Sequence, residues 1–292
     1  MRRFVAITRT AAIETLSQPL SAVLFPAAAL AVHLLPAFQY HRLGAPGRLA
    51  QETGLSALFV FGLVFAVPAA ARIVGGDLER GTAAAALALG VPRSLYFLSR
   101  TAGVCAVFAM FSVAIYAASA LSSFSCMTAA GMMTGEGVSR VWGPAFAAGV
   151  GASLAPLLLA AALNRFLDRR FCMWTCILTT AFQLLGLLML DGASRLVLIA
   201  PPFIALAAAC FAYVALAAAF ATRLKEKGVA AASAVAAATG FFAPAGFPVP
   251  NMRVFWLHDG CGSVVAPLFA GAALFALWSV AGCISVESRE LG

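Results

Sequence analysis

The side chains best suited to chemistry are soft metal ligands in two segments that we expect outside the membrane-spanning helices. Cys126 and Met127 lie in one segment, and His258 and Cys261 lie in the other. Thiolate, thioether and imidazole groups are the ligands that copper prefers, and the two cysteines could pair in an oxidising compartment. Their spacing is loose, so packing within the loops is the simpler interpretation. We expect no metal centre and keep these four residues as candidate ligands.

No motif of an enzyme active site is present. The sequence has no Gly-x-x-x-x-Gly-Lys-Ser/Thr loop, no His-Glu-x-x-His and no Gly-x-Ser-x-Gly, which are signatures of phosphate binding, zinc proteolysis and acyl transfer. Carboxylates in mid-span would indicate ion-coupled transport, because a charge there costs about 2.5–3.5 kcal/mol. The carboxylates Asp77, Glu79, Asp168 and Asp191 fall at expected helix ends instead. We therefore expect no catalysis, no cofactor and no ion-coupled carrier.

The composition is that of a membrane protein. Hydrophobic residues make up 63% of the 292 residues and charged residues only 10%, whereas soluble domains carry about 25% charged residues. The net charge of +8 does not indicate nucleic-acid binding, because the basic residues form no patch. Cationic loops facing an anionic membrane leaflet explain it better. Since no connection reaches about 30 residues, we predict one all-α membrane domain over residues 1–292.

Hydropathy predicts about eight spans, because a bilayer core needs about 20 apolar residues per helix. Seven windows are clear, and the window at 229–247 is rich in alanine and interrupted by Gly240, Pro244 and Gly246. If that window does not cross, six spans are the alternative. The clear windows are 20–38, 55–74, 102–121, 144–163, 171–190, 196–221 and 264–284.

Residues 1–18 are predicted to form an amphipathic helix in the membrane interface. Apolar residues recur at helical spacing among Arg2, Arg3, Arg9 and Glu14, a pattern typical of interfacial helices. The charges at 9 and 14 interrupt the apolar core that a signal peptide would need.

The distribution of basic residues predicts the orientation. With eight spans and the N-terminus inside, 14 of the 19 Lys and Arg residues lie on the inside. The positive-inside rule then places both termini in the cytoplasm. The remaining five are Arg42, Arg48, Arg140, Arg195 and Arg253.

Polar and small residues within the spans predict close helix contacts. His33 in the first span and Gln183 in the fifth are neutral polar groups, which in membranes are more often interhelical hydrogen-bond partners than ligands. Gly149 and Ser153 in the fourth span and Gly271 in the last permit close helix approach.

The segment 75–100 predicts a short cytoplasmic helix between the second and third spans. Thr82 is a suitable N-cap, residues 83–89 are good helix formers, and Gly90 suits a left-handed C′ position before Pro92. Asp77 and Glu79 precede the helix at its positive end. A brief, capped helix of this kind is suited to docking a partner.

This segment resembles the permeases of ABC-2 type transporters, in which an acidic residue and Gly-Thr follow the second span. Glu79, Gly81 and Thr82 match that pattern, and Arg93 matches its final arginine. Gly90-Val91-Pro92-Arg93 departs from the family's tetrad, which begins with proline. The N-terminal helix is similar to the family's elbow helix, and the loop at 248–251 resembles permeases for multicopper or nitrous-oxide-reductase maturation.

The resemblance implies the membrane subunit of an ATP-binding-cassette exporter in the inner (plasma) membrane. It further implies a separate ATPase subunit, a homodimer or heterodimer of permeases, contact with membrane lipid, and a coupling loop at 75–100. A copper-handling membrane protein and a passive channel are the alternatives. The residues implied in coupling are Asp77, Glu79, Arg80, Gly81, Thr82, Pro92 and Arg93.

Overall fold

The computed structural model describes residues 1–38, 46–88, 90–131, 144–166, 170–189, 193–242 and 265–288, and this part of the chain is helical. A π-helical turn, Ala71–Gly75, joins α3 directly to α4. The helices are α1 Arg2–Leu16, α2 Pro19–Phe38, α3 Pro46–Ala70, α4 Gly76–Glu79, α5 Thr82–Ala88, α6 Arg93–Gly131, α7 Pro144–Phe166, α8 Phe171–Leu188, α9 Ala193–Ala221, α10 Glu226–Phe242 and α11 Val265–Glu287.

The protein is a polytopic α-helical membrane protein, which confirms the predicted fold class. Seven segments of the described residues are long and apolar enough to cross a bilayer. Several contain proline, which membrane helices tolerate because neighbouring groups satisfy the freed carbonyls. The segments are Pro19–Pro36, Ala50–Glu79, Arg93–Ser123, Phe146–Arg165, Phe171–Leu188, Ala200–Ala221 and Ala266–Glu287.

Two helices extend well beyond the predicted windows. α3 begins at Pro46 and α6 runs from Arg93 to Gly131. Polarity does not end a helix, and α6 contains no proline. Cys126 and Met127, expected in an outer loop, therefore lie within α6.

The described chain divides into two compact units, and the prediction of one membrane domain stays a prediction. The first unit comprises Met1–Thr15, Gly62–Ala109 and Ile204–Gly292, and the second comprises Leu16–Phe61 and Met110–Phe203.

Helices α9 and α11 pack in parallel within the first unit. A Cβ on Gly271 would lie 2.9 Å from the carbonyl carbon of Ala208, so these backbones touch, as predicted for Gly271. Further along both helices, the Thr222 and Ser285 hydroxyls are 2.6 Å apart. The chain between Thr222 and Gly271 must therefore return about 20 Å, at 1.5 Å per helical residue.

The number of crossings, eight or the alternative six, stays a prediction, because α10 is not among the seven candidate spans of the described residues. α10 covers the start of the doubtful window at 229–247, and its 17 residues span about 25 Å, slightly less than the bilayer core. The rest of that window lies outside the described residues. The parallel packing of α9 and α11 concerns these two helices alone, and the placement of both chain ends on one side stays a prediction.

The π turn lies where the second span meets the loop. The Gly76 N–H bonds to the carbonyls of Ala71 and Arg72, five and four residues back. Gly75 packs on α9, where a Cβ would lie 3.2 Å from the Ala221 oxygen. Arg72 also forms an exposed ion pair of 2.9 Å with Glu226 at the start of α10.

In the second unit, α2, α7 and α8 pack against one another. The Phe25 and Phe111 rings are in edge contact with centroids 5.1 Å apart. Gly54 lies against α6, where a Cβ would approach the Ser119 hydroxyl oxygen to 2.3 Å.

Candidate functional site

The site is built around the carboxylate of Asp77, at the end of the second span. Asp77 is only 8% exposed. Its carboxylate accepts a hydrogen bond of 2.7 Å from the Tyr96 hydroxyl and forms an ion pair with the Arg100 guanidinium. Tyr96 and Arg100 are four residues apart on α6 and therefore share one helix face. The interaction joins the span that ends in α4 to the span that begins with α6.

Arg100 extends this interaction to the N-terminal helix. Its Nη1 atom lies 2.9 Å from an oxygen of Glu14 on α1, and its Cζ atom lies 5.7 Å from the centroid of the Tyr96 ring. The Arg100 side chain is 8% exposed, whereas that of Glu14 is 44% exposed. A buried guanidinium needs such partners because desolvation of an unpaired charge is costly. We call Glu14, Asp77, Tyr96 and Arg100 the Asp77 cluster.

The start of α5 is fixed by Thr82 in a way that differs from the prediction. Thr82 is the first residue of α5, and the Gly81 carbonyl accepts the Ala84 N–H at 3.0 Å. Gly81, at φ +72°, thus occupies the cap position. Thr82 already lies inside the helix, so its hydroxyl is not the N-cap group, and it donates to Asp77, 3.0 Å from Oδ1.

The end of α5 agrees with the prediction. Gly90 has a φ of +73°, in the left-handed region that glycine adopts without strain. Its carbonyl accepts a bond of 3.4 Å from Arg3 of α1. Arg93 donates to the Glu287 carbonyl of α11 at 3.1 Å, so it already serves an internal contact.

The surface of this loop consists mainly of small residues next to two opposite charges. α5 buries Ala83, which is 1% exposed, while most of its other residues face outward. We call the exposed set the α5 surface. Its residues are Glu79, Arg80, Gly81, Thr82, Ala84, Ala85, Ala88, Gly90 and Pro92.

The predicted coupling residues thus fall into two groups. Glu79, Arg80, Gly81, Thr82 and Pro92 are accessible to a partner. Asp77 is buried and engaged within the chain, and Arg93 is half-buried and bonded to α11. The structure does not test a role in coupling for either group.

Three residues of the Asp77 cluster were not among the predicted site residues. Tyr96 and Arg100 could have been found from their spacing of four residues at the start of the third span, opposite an acidic residue that ends the second. Glu14 carries no such signal, since nothing in the sequence shows that α1 folds back onto α6. The contact occurs at Gly103, where a Cβ would lie 2.5 Å from that of Ala11.

A second polar cluster, the His33 cluster, joins three spans of the second unit, and it confirms the predicted packing role of His33 and Gln183. His33 Nε2 lies 3.2 Å from Gln183 Oε1, and Gln183 Nε2 donates to the Ser153 hydroxyl at 3.0 Å. Ser153 donates in turn to the Gly149 carbonyl at 3.0 Å. Since the Gln183 oxygen accepts, His33 Nε2 must carry the hydrogen. The chain of donors links α2, α8 and α7.

The soft-ligand hypothesis is not tested. Within the described residues, no group of three or more His, Cys, Asp or Glu side chains is placed to hold a metal ion. Cys126 and Met127 lie in α6, while His258 and Cys261 lie outside the described residues.

Comparisons of the chain with protein-family models, with characterised proteins and with solved structures return no match.

Proposed function

We propose that the protein is the membrane-spanning permease subunit of an ATP-binding-cassette exporter, and that the α5 surface is its contact with a separate ATPase subunit. The observation that carries this proposal is a short, accessible helix held at both ends by bonds to other helices. Thr82 fixes its start to Asp77, and Arg3 contacts Gly90 at its end. Such a helix transmits force better than a solvated loop, because a displacement cannot be absorbed by the loop alone.

The Asp77 cluster provides the mechanical connection. α4 continues the second span through the π turn, and Asp77 binds Arg100 at the start of the third span. A movement of α5 therefore shifts the ends of both spans together, and Glu14 extends it to α1. Closure of a nucleotide-bound ATPase would favour the conformation in which α5 is displaced, and the spans would follow by population shift.

Each part of the loop has a distinct role in this mechanism. Glu79 and Arg80 make polar contacts with the partner, and Gly81 and Thr82 set the start of the helix. Pro92 ends the loop, and Arg93 holds it to α11. The buried Asp77 positions the loop and does not touch the partner. ATP hydrolysis resides in the partner, so this chain needs no catalytic group.

The assembly we propose contains two permease subunits in the inner (plasma) membrane, with lipid around them. The α5 surface and both termini face the cytoplasm. This placement is supported by the excess of basic residues predicted on that side.

Co-purification tests the proposal. The tagged chain is isolated in mild detergent together with its ATP-hydrolysing subunit, and the double charge reversal Glu79→Lys/Arg80→Glu is compared with it. We expect at least about a tenfold loss of bound ATPase, equivalent to about 1.4 kcal/mol, and loss of transport-linked ATP hydrolysis. Membrane insertion should not change, because both side chains are exposed.

The matched control is Lys227→Glu, an exposed charge reversal at the start of α10 in the same unit. It should keep the bound ATPase. Normal ATPase retention and hydrolysis in the Glu79/Arg80 variant would contradict the docking role. Purification of the wild type without any nucleotide-binding subunit would favour a passive channel instead.

A further inference from the structure

The outward face of α1 carries two arginines among apolar residues. Arg2, Val5, Ala6 and Arg9 are all exposed, and Val5 retains 60% of its accessible surface. Arg2 and Arg9 are seven residues apart, so they lie on one face about 10 Å from each other. The opposite face is covered, since Ala11 is fully buried and packs at Gly103 of α6.

Neither arginine has an acidic partner among the described residues. Arg72 pairs with Glu226, and Arg100 pairs with Glu14 and Asp77. Glu14, the acidic residue of α1, forms an ion pair with Arg100 and lies on a different side of the helix from Arg2. The outward face is therefore cationic and partly apolar.

This combination fits one kind of surface better than others. A nucleic acid or an acidic protein would complement the arginines but leave Val5 in water. An anionic bilayer surface offers phosphate oxygens to the guanidinium groups and acyl chains to the apolar side chains.

We infer that the outward face of α1 binds the headgroups of anionic phospholipids through Arg2 and Arg9. α1 also carries Glu14, which completes the Asp77 cluster, so lipid binding to α1 stabilises the Glu14–Arg100 contact. The effect of lipid binding on coupling to the ATPase rests on the proposed function, whereas lipid binding itself does not.

Native mass spectrometry of the purified full chain tests the inference. The wild type and Arg2→Gln/Arg9→Gln are titrated with phosphatidylglycerol and, separately, with phosphatidylcholine. Each cation near an anionic surface contributes to the free energy of binding, and the loss of two such contributions should weaken phosphatidylglycerol binding about 30-fold. Binding of phosphatidylcholine should not change. Arg2→Lys/Arg9→Lys should restore most of the affinity, because the charge returns.

The matched control is Lys225→Gln/Lys227→Gln, which removes two exposed cations from the same unit. It should bind phosphatidylglycerol as the wild type does. Equal binding by the Arg2/Arg9 variant and the wild type would overturn the inference, as would equal losses in variant and control. Competition by inorganic phosphate as effective as that of the lipid would show a free-anion site instead. None of these measurements requires the ATPase, so they can fail or succeed independently of the proposed function.

Discussion

Asp77→Asn is the substitution that most directly tests the role of the Asp77 cluster. It keeps the shape of the side chain but removes the charge that balances Arg100, whose side chain is only 8% exposed. Removing one partner of a buried ion pair costs about 3–5 kcal/mol. Glu14 remains 2.9 Å from Arg100, so we expect the lower end, about 3 kcal/mol, in the free energy of unfolding.

Two assays measure this loss. Equilibrium unfolding of the detergent-solubilised protein, followed by circular dichroism, gives the change in the free energy of unfolding. Limited trypsin digestion gives the local change, since Arg80 is exposed between α4 and α5. Loosening of Asp77 should accelerate cleavage after Arg80, because cleavage follows local opening.

A double-mutant cycle separates the ion pair from other effects. Asp77→Asn combined with Arg100→Met should be less destabilising than the sum of the single changes, by about 2 kcal/mol. The matched control is Glu79→Gln, an exposed carboxylate two residues away, which should change stability by less than about 0.5 kcal/mol. Strict additivity, or an Asp77→Asn variant as stable as the wild type, would refute this account of the cluster.

Two further predictions concern packing and topology. Gly149→Ala should destabilise the protein by at least about 1 kcal/mol, since its Cβ would lie 2.5 Å from His33 Nδ1. The control is Gly151→Ala, whose Cβ would meet nothing within 4 Å. Thermal unfolding compares the two variants, and equal melting temperatures would contradict the packing of Gly149 on His33. Reporters inserted after Lys227 and after Ser288 should lie on one membrane side, because α9 and α11 are parallel, and the predicted eight crossings place the N-terminus on that side too. Thiol labelling or protease protection that places any of the three on the opposite side would contradict the eight-crossing topology.

Much of the helical fold could be predicted from hydropathy, because the bilayer core imposes a length of apolar sequence on each span. The ends of the helices could not, as α6 shows. Its residues beyond 121 are more polar than the window, yet nothing in them breaks a helix, so it continues to Gly131. Hydropathy indicates only the apolar length that matches the bilayer core, and a helix can continue beyond the membrane surface.

The candidate site could be predicted only where local backbone chemistry decides the outcome. Gly90 adopts the predicted left-handed conformation, because its position at the helix end and the following proline are local signals. Thr82 was wrongly predicted as the N-cap, because no local signal shows that Gly81 takes the cap position and that the Thr82 hydroxyl donates to Asp77. The approach of Glu14 to Arg100 joins residues 86 positions apart, and no local signal encodes it.

The π turn at Ala71–Gly75 determines the direction in which the side chains of α4 point around the helix axis. An α-helix turns by about 100° per residue, so one extra residue in a turn rotates the following side chains about the helix axis by about that angle. Before the turn, Phe65 and Ala69 are fully buried, and after it Asp77 is buried too. Without the extra residue, the carboxylate would face about 100° away from Arg100. A single insertion or deletion here would therefore turn Asp77 away from Arg100 and break the contact between the second and third spans, although every residue of the Asp77 cluster would be unchanged.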